Sequence, residues 1–266
     1  MERFGPSILV QAGTQTLIFD AGRGAIQRLT QASVTYDQVD ALFLTHLHSD
    51  HVVGIPDLWL TGWIQSRRTK GLPVFGPEGT VSMMGHLKQA FAFDLRLRVE
   101  DDKTPQAGSE IRATDVAQGV VYEKDGVRVI AFDVDHKPVV PALGYRIEYG
   151  GRAVVLSGDT RFSTNLIKFA ERADLVVHEV GDSSDAYLAQ NPNFANALAH
   201  HTRPSEAGTV FTTVKPKLAV YSHIVARGAG TVDLIRHTRE TYSGPLVVGE
   251  DLMRFVVGSD VAIYRP

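Results

Sequence analysis

The chain has 266 residues, of which 44% are hydrophobic and 21% charged, and its formal net charge is −3. These values are typical of a globular protein with one large core and exclude a chain that is disordered throughout. The acidic balance disfavours a protein that grips long nucleic acid, because such proteins usually present a basic surface. Cysteine is absent, so disulfides and thiolate metal sites are excluded and any metal must be held by nitrogen and oxygen ligands.

No apolar stretch reaches the roughly 18 residues that a membrane span needs. The first six residues do not resemble a signal peptide. The sequence therefore predicts a cytoplasmic protein without a membrane partner, and an exported form with a trimmed leader stays open. A local basic patch, Arg67, Arg68 and Lys70, is interpreted as a solvated helix end.

In the first half of the chain, short apolar runs alternate with segments of helical periodicity. The most apolar run, residues 39–45, predicts a buried strand that leads directly into a histidine-rich loop. The helix predicted after this loop carries Trp59 and Trp63 on one face, which indicates core packing or an aromatic wall beside a substrate. The predicted elements are a strand hairpin at 7–12 and 16–21, a helix at 22–32, a strand at 39–45, a helix at 52–66, a strand at 73–76 and a helix at 80–93.

The second half begins with the least regular stretch, residues 95–119, which is interpreted as a lid-like excursion inserted into a single domain spanning 1–266. Beyond it, paired strands with interspersed helices favour sheets covered by helices in layers. His86 and His237 lie on predicted helices and are interpreted as solvent-facing. The predicted elements are strands at 127–134, 143–149, 152–157 and 174–180, a helix at 205–213, a strand at 217–222, a helix at 231–241 and strands at 245–248 and 253–257.

The loop after the strand at 39–45 concentrates potential metal ligands. His46, His48, Asp50 and His51 lie within six consecutive residues. A strand end anchors such a loop while exposing its side chains, and imidazole with carboxylate suits zinc, iron or manganese. One loop can serve two ions, because paired metals lie only ~3.5–4 Å apart. The segment therefore predicts a metal centre.

This pattern, His-x-His-x-Asp-His after an apolar strand, resembles the signature of the metallo-β-lactamase superfamily. The resemblance covers nearly the whole chain and is closest to the ribonuclease Z and arylsulfatase-like branch. It implies an α/β fold of the metallo-β-lactamase type, an αββα four-layer sandwich of two mixed β-sheets flanked by helices. Members usually have an extra strand before residues 5–10, so either this strand is lost here or the chain is truncated. The blocks that carry the resemblance are residues 5–10, 17–22, 41–54, 135–146, 157–160 and 221–223.

The resemblance implies two divalent metal ions, zinc in the first place and manganese or iron as alternatives. The positions agree with the local pattern, since the three ligands of the second half each follow an apolar strand. The implied ligands are His46, His48 and His136 for one ion, Asp50, His51 and His223 for the other, and Asp159 as the bridge between the two.

The resemblance also implies catalytic roles. Residues 177–180 resemble the His-Glu-Ala-Thr segment of ribonuclease Z, and residues 200–202 resemble its His-Ser-Thr segment. The chain departs from both patterns, with Val180-Gly181 in place of Ala-Thr and Thr202-Arg203 in place of Ser-Thr. Glu179 and His201 are therefore candidate proton-relay residues. Asp50 is expected to orient the nucleophile and accept its proton in addition to binding metal. His178 is interpreted as a buried strand histidine.

Together these features predict a dinuclear metal-dependent hydrolase that uses a metal-bridging hydroxide. Ribonuclease Z enzymes carry a long arm that grips transfer RNA between the strands that here are 143–149 and 152–157. In this chain a Gly150–Gly151 hairpin turn leaves no room for it. With the acidic balance, the missing arm predicts small phosphodiester or sulfate-ester substrates, a phosphodiesterase or arylsulfatase-like activity, poor cleavage of precursor transfer RNA and no nucleic acid as main substrate.

Other interpretations stay open. They are a ribonuclease Z-type RNA endonuclease, a lactonase or β-lactam hydrolase and, outside enzymes, a degenerate metal-binding module. A homodimer is also open.

Overall fold

The computed structural model describes residues 3–266, so Met1 and Glu2, part of the predicted domain 1–266, lie outside the described residues. The chain divides into two units, Met1–Ala117 and Gln118–Pro266. Each unit is built around its own mixed β-sheet. Among the described residues, the helices are either too short or too polar to cross a membrane.

The first unit contains a five-stranded sheet in the order β1-β2-β3-β4-β5, in which β1 and β2 are antiparallel and the other pairs are parallel. The strands β2 and β3 are buried along their whole length, as expected for strands covered on both faces. The elements are β1 (Ile8–Ala12), β2 (Gln15–Phe19), α1 (Ala25–Gln31), β3 (Ala41–Phe43), α2 (Ser49–Val52), α3 (Ile55–Ile64), β4 (Leu72–Gly76), α4 (Thr80–Ala90), α5 (Ala92–Glu100) and β5 (Ile111–Asp115).

The core of this unit forms where helices cover the sheet. Leu42 and Val74 of the strands share one buried cluster with Leu58 and Trp59 of α3. Trp59 and Trp63 are fully buried, and their ring N–H groups donate to backbone carbonyls in residues 105–109. The two tryptophans therefore belong to the core, as the first of the two interpretations had it.

The expected irregularity of residues 95–119 is wrong for much of that stretch. Residues 95–100 complete α5, and β5 pairs in parallel with β4 as the edge strand of the sheet. The strand β5 was not predicted because its sequence alternates between charged and small residues and lacks an apolar run. An edge strand tolerates polar side chains on its exposed face. The lid role stays a prediction only for the connection between α5 and β5.

The second unit contains a seven-stranded sheet in the order β12-β11-β10-β9-β8-β7-β6. Pairing is antiparallel from β6 to β9 and parallel from β9 to β12. The elements are β6 (Gly119–Lys124), β7 (Val127–Asp133), β8 (Leu143–Tyr149), β9 (Arg152–Leu156), α6 (Thr164–Phe169), β10 (Leu175–Ser183), α7 (Asp185–Gln190), α8 (Phe194–Leu198), α9 (Pro204–Val214), β11 (Leu218–Arg227), α10 (Thr231–Thr238), β12 (Leu246–Val248), β13 (Arg254–Val257) and β14 (Val261–Tyr264).

Helices α6, α9 and α10 pack against this sheet through Leu166, Phe211 and Leu234, which share a buried cluster with strand residues such as Val176 and Ala219. The apolar residues of β10 are followed by polar ones that are also buried. Mixed sheets covered by helices confirm the predicted α/β class.

The turn between β8 and β9 is the predicted two-residue hairpin. Tyr149 pairs with Arg152, and Gly150 and Gly151 have φ angles of 55° and 73°. Positive φ at both turn residues matches the right-handed twist of the strands and favours glycine. The prediction that no arm emerges here is confirmed.

Candidate metal centre

In the first unit, the loop after β3 and the short helix α2 carry the four predicted ligands. His46 is fully buried, and its Nε2 lies 2.9 Å from Nδ1 of the exposed His48. Asp50 and His51 both lie on α2, with 3.7 Å between a carboxylate oxygen of Asp50 and Nε2 of His51. The loop thus brings its potential ligands into two adjacent pairs.

Asp20, at the end of β2, is a site residue for which the sequence analysis gave no role. It is buried and has a φ of 59°. One carboxylate oxygen accepts a bond from the Thr45 backbone N–H, and the other lies 2.8 Å from both the Thr45 hydroxyl and Nδ1 of His51. Because Nδ1 of His51 makes this contact, Nε2 of the same ring points away from Asp20 and can bind a metal. The signal available in the sequence was an acidic residue directly after an apolar strand.

In the second unit, two of the predicted histidine ligands lie beside the carboxylate of Asp159, the third predicted ligand of this unit. Oδ2 of Asp159 lies 3.0 Å from Nε2 of His223 and 3.9 Å from Nε2 of His136. Nδ1 of His136 donates to the His200 carbonyl at 2.9 Å, which turns its Nε2 towards Asp159. Gly158 adopts a φ of 59°, so the chain turns sharply just before the carboxylate.

His223 does not end its strand, contrary to the sequence prediction, because β11 continues to Arg227. The register between β10 and β11 shifts between the His178 and Val180 positions, so that Ser222 and His223 together oppose Glu179. His223 has a φ of 44° within this bulge. A β-bulge changes the direction of a side chain in the middle of a strand, and the pattern of apolar residues does not predict it.

His201 and Glu179 form a close pair beside this carboxylate. Nδ1 of His201 lies 3.0 Å from Oε2 of Glu179 and 4.0 Å from Oδ2 of Asp159. Oε1 of Glu179 accepts bonds from the backbone N–H groups of Thr202 and Thr160. Burial, reinforced by the negative charge of Asp159, raises the pKa of Glu179 well above its ordinary value.

The donor set of the second unit fits a divalent ion. One donor atom from each of His136, Asp159 and His201 lies within 4.8 Å of the others. Two imidazoles and a carboxylate are ligands that zinc prefers. His201 is thus close enough to act as a ligand as well as in its predicted relay role.

Three other histidines lie outside the proposed ligand set. His178 is fully buried, donates from Nδ1 to the Glu179 carbonyl and packs edge-on against Phe211. Burial lowers the pKa of His178 to about 4, so it is neutral at pH 7. The expectation that His237 faces solvent is wrong, since its Nδ1 lies 2.8 Å from the buried carboxylate of Asp182. His86 is exposed, as predicted.

The chain matches the family model of the beta-lactamase superfamily domain over residues 15–224. It is 35% identical to the ribonuclease Z of Mycolicibacterium gilvum over 96% of its own length and 91% of the relative. It is 33% identical to that of Mycobacterium bovis strain BCG Pasteur over 96% and 93%, respectively. Both similarities extend over almost the entire chain.

Solved structures give the same fold. The metallo-β-lactamase fold protein YhfI from Bacillus subtilis superposes with a TM-score of 0.72 at 19% identity, covering 93% of this chain and 90% of that one. The short form of human tRNase Z gives a TM-score of 0.68 at 20% identity, covering 95% and 92%. The predicted metallo-β-lactamase fold is therefore confirmed.

These relatives overturn the expected substrate. Small phosphodiesters or sulfate esters as main substrate, and the exclusion of nucleic acid, are wrong, because the curated relatives that match along the whole chain are ribonucleases Z. The missing arm and the net charge affect how tightly a polyanion is bound. Neither feature determines which chemical bond a metal centre cleaves.

Proposed function

Because the chain belongs to the metallo-β-lactamase superfamily and, within it, to the ribonuclease Z family, we propose that it is a metal-dependent endonuclease that cleaves precursor transfer RNA. The observation that carries the proposal is 35% identity to a ribonuclease Z over 96% of this chain. The similarity is not confined to one part of the chain, since the match also covers 91% of the relative.

The proposal includes two divalent ions, zinc in the first place. Their proposed ligands are His46, His48 and His136 for one ion, Asp50, His51 and His223 for the other, and Asp159 shared by both. Support comes from each unit separately: the paired donors of the histidine loop in the first, and the imidazoles around Asp159 in the second. Such ions lower the pKa of water and polarise a phosphodiester.

The protein side chains have separate proposed tasks. Asp50, which is exposed on α2, orients the attacking water and accepts its proton. His201 passes a proton to the leaving oxygen. Since its Nδ1 contacts Glu179, its Nε2 is the nitrogen that faces the substrate. The contact with Glu179 holds the His201 ring in this orientation beside the centre.

The test uses the full chain loaded with zinc and a precursor transfer RNA. We expect about two ions per chain by elemental analysis and cleavage of the precursor at a defined site. Asp159→Ala should lose both metal and cleavage, while Asp260→Ala, which removes an exposed carboxylate, should keep both. Two bound ions without cleavage of the RNA would refute the endonuclease proposal. Failure to bind two ions would refute the dinuclear centre.

A further inference from the structure

A buried carboxylate outside the metal ligands lies near the end of β10. Asp182 is 1% exposed. One of its oxygens accepts a bond from the Ser183 backbone N–H at 2.9 Å and forms an ion pair with Nη2 of Arg203 at 3.1 Å. The other lies 2.8 Å from Nδ1 of His237. A carboxylate is costly to bury unless it is paired and hydrogen-bonded. The partners come from three different segments, so Asp182 joins β10 to the start of α9 and to α10.

The segment that Asp182 holds contains the candidate proton-transfer residue. Arg203 is the N-cap residue of α9 and follows His201 and Thr202 directly. Between the same two segments, the Gly181 N–H donates to the Thr202 carbonyl at 2.9 Å. The orientation of residues 201–203 therefore depends on contacts with the last residues of β10.

Gly181 fits this arrangement because it has no side chain. A Cβ at this position would lie 2.8 Å from Cβ of His201, too close for two carbon atoms. Successive strand residues point to opposite faces, so Glu179 and Gly181 contact His201 on one face while Asp182 holds Arg203 from the other. Gly181 and Arg203 thus meet the segment of His201 at one junction between β10 and α9.

We propose that Asp182, Arg203 and His237 are positioning residues that fix the orientation of the His201 imidazole. The proposal rests on the proposed function only for the role of His201 in proton transfer. Their loss should let residues 201–203 shift against β10. A displacement of about 1 Å in a reacting group can lower turnover ~10²-fold, although the group itself is retained.

The experiment compares Arg203→Ala with Arg236→Ala, which removes an exposed arginine paired with Asp233 on α10. In the zinc-loaded protein at one fixed pH, the ¹⁵N resonances of the histidine rings are recorded and His201 is assigned with the help of His201→Ala. We expect the His201 resonances to move in Arg203→Ala and to stay in place in Arg236→Ala. With precursor transfer RNA, Arg203→Ala should lower kcat ~10–100-fold, with KM within about twofold and metal content unchanged.

Two conservative variants cover the case in which Arg203→Ala does not fold. Arg203→Lys should restore part of kcat, and Asp182→Asn should reproduce the loss. A lower melting temperature without any change in the His201 resonances or in kcat would overturn the proposal, since the network would then serve stability alone. If the resonances move as expected but the wild type does not cleave RNA, the positioning role stands and the proposed function falls.

Discussion

At the scale of single residues, the histidines of the candidate centre are oriented by the bonds of their other ring nitrogen. Nδ1 of His51 contacts Asp20, and Nδ1 of His136 contacts the His200 carbonyl. Such bonds select the tautomer whose Nε2 lone pair can bind a metal. The four candidate ligands of the first unit could be predicted from the sequence because they lie within six consecutive residues. Their partners could not, because Asp20 lies 31 residues away from His51.

Asp20→Asn should weaken zinc binding ~10–100-fold. The amide keeps the size of the side chain and can still accept from the Thr45 N–H, but its NH₂ group cannot accept a proton from Nδ1 of His51. The measurement is competition for zinc with a chelator. Asp40→Asn is the matched control, because Asp40 also accepts a backbone bond in this unit, from Thr16. Equal loss in both variants would mean that the effect comes from the stability of the sheet.

His201→Ala should lower turnover on precursor transfer RNA by ~10²–10⁴-fold while leaving the metal content near that of the wild type. The reason is that the variant removes the proposed proton donor and keeps all seven proposed ligands. Steady-state kinetics and elemental analysis on one preparation check it. His200→Ala, which removes the neighbouring ring, should have a much smaller effect. Loss of metal in His201→Ala would show that His201 is a ligand.

His178 makes the stability of the protein depend on pH. Its pKa is lowered by burial from 6.5 to about 4. The unfolded chain therefore takes up a proton between these pH values that the folded chain does not. This contribution to stability is fully present above pH 6.5 and is lost as the pH falls towards 4. Between pH 7.5 and pH 5, it corresponds to about 2 kcal/mol of the free energy of unfolding.

Urea unfolding at pH 7.5 and pH 5 measures this effect, and His178→Gln is the variant that lacks the titrating group. The wild type should lose more free energy of unfolding between the two pH values than His178→Gln loses, by about 2 kcal/mol. Identical losses in the two proteins would show that His178 is protonated in the folded state as readily as in the unfolded one.

At the scale of secondary structure elements, apolar runs in the sequence predicted where the strands lie. They did not predict how far two of the strands extend beyond those runs. The strands β10 and β11 extend beyond residues 180 and 222 because parallel pairing carries them on through polar residues. These extra residues include Asp182 and His223. A strand with buried polar side chains has no hydrophobic alternation, so its far end and its bulge become visible only in the paired structure.

Arg68 is another difference at this scale, since it is 5% exposed and does not belong to a solvated helix end. It donates to the carbonyls of Trp59, Lys70 and Gly108 and so joins α3 to the segment before β5. Burial lowers the pKa of Arg68 to about 10, which leaves it charged at neutral pH. Three backbone carbonyls thus accept the hydrogen bonds that a surface arginine would donate to water.

Gly62→Ala should destabilise the protein by about 1–3 kcal/mol, because the new Cβ would lie 2.8 Å from Nη1 of Arg68. Gly85→Ala is the matched control. It also lies in a helix, but its Cβ would have no neighbour within 4 Å, so it should stabilise the protein by up to about 1 kcal/mol through helix propensity. Urea unfolding at pH 7.5 measures both. Equal effects of the two substitutions would show that Arg68 moves aside at no cost.

At the scale of the whole molecule, the fold class could be predicted from the sequence and the substrate could not. The order of the motifs along the chain implied the metallo-β-lactamase fold, which the comparisons confirm. The inference from the missing arm failed, although the Gly150–Gly151 hairpin on which it rested is present. An arm adds binding energy for the RNA at a distance from the cleaved bond, so its absence does not change what the centre can hydrolyse.

The missing arm should instead appear in how cleavage depends on salt. Each phosphate neutralised by lysine or arginine contributes about −0.7 to −0.9 to the slope of log affinity against log salt concentration. With a net charge of −3 and no arm, we expect few such contacts. The slope of log kcat/KM for precursor transfer RNA should then be about −2 to −4 between 50 and 200 mM potassium chloride.

A small phosphodiester measured on the same zinc-loaded preparation is the control, because it has no extended backbone and its slope reports only the effect of salt on the centre. The RNA should also be cleaved with the higher kcat/KM. If its slope equals that of the small ester, the RNA backbone beyond the cleaved bond makes no ionic contact with the protein. This result would contradict the proposal of a transfer-RNA endonuclease. Without phosphate contacts, the protein would have no ionic means of preferring the RNA to the small ester.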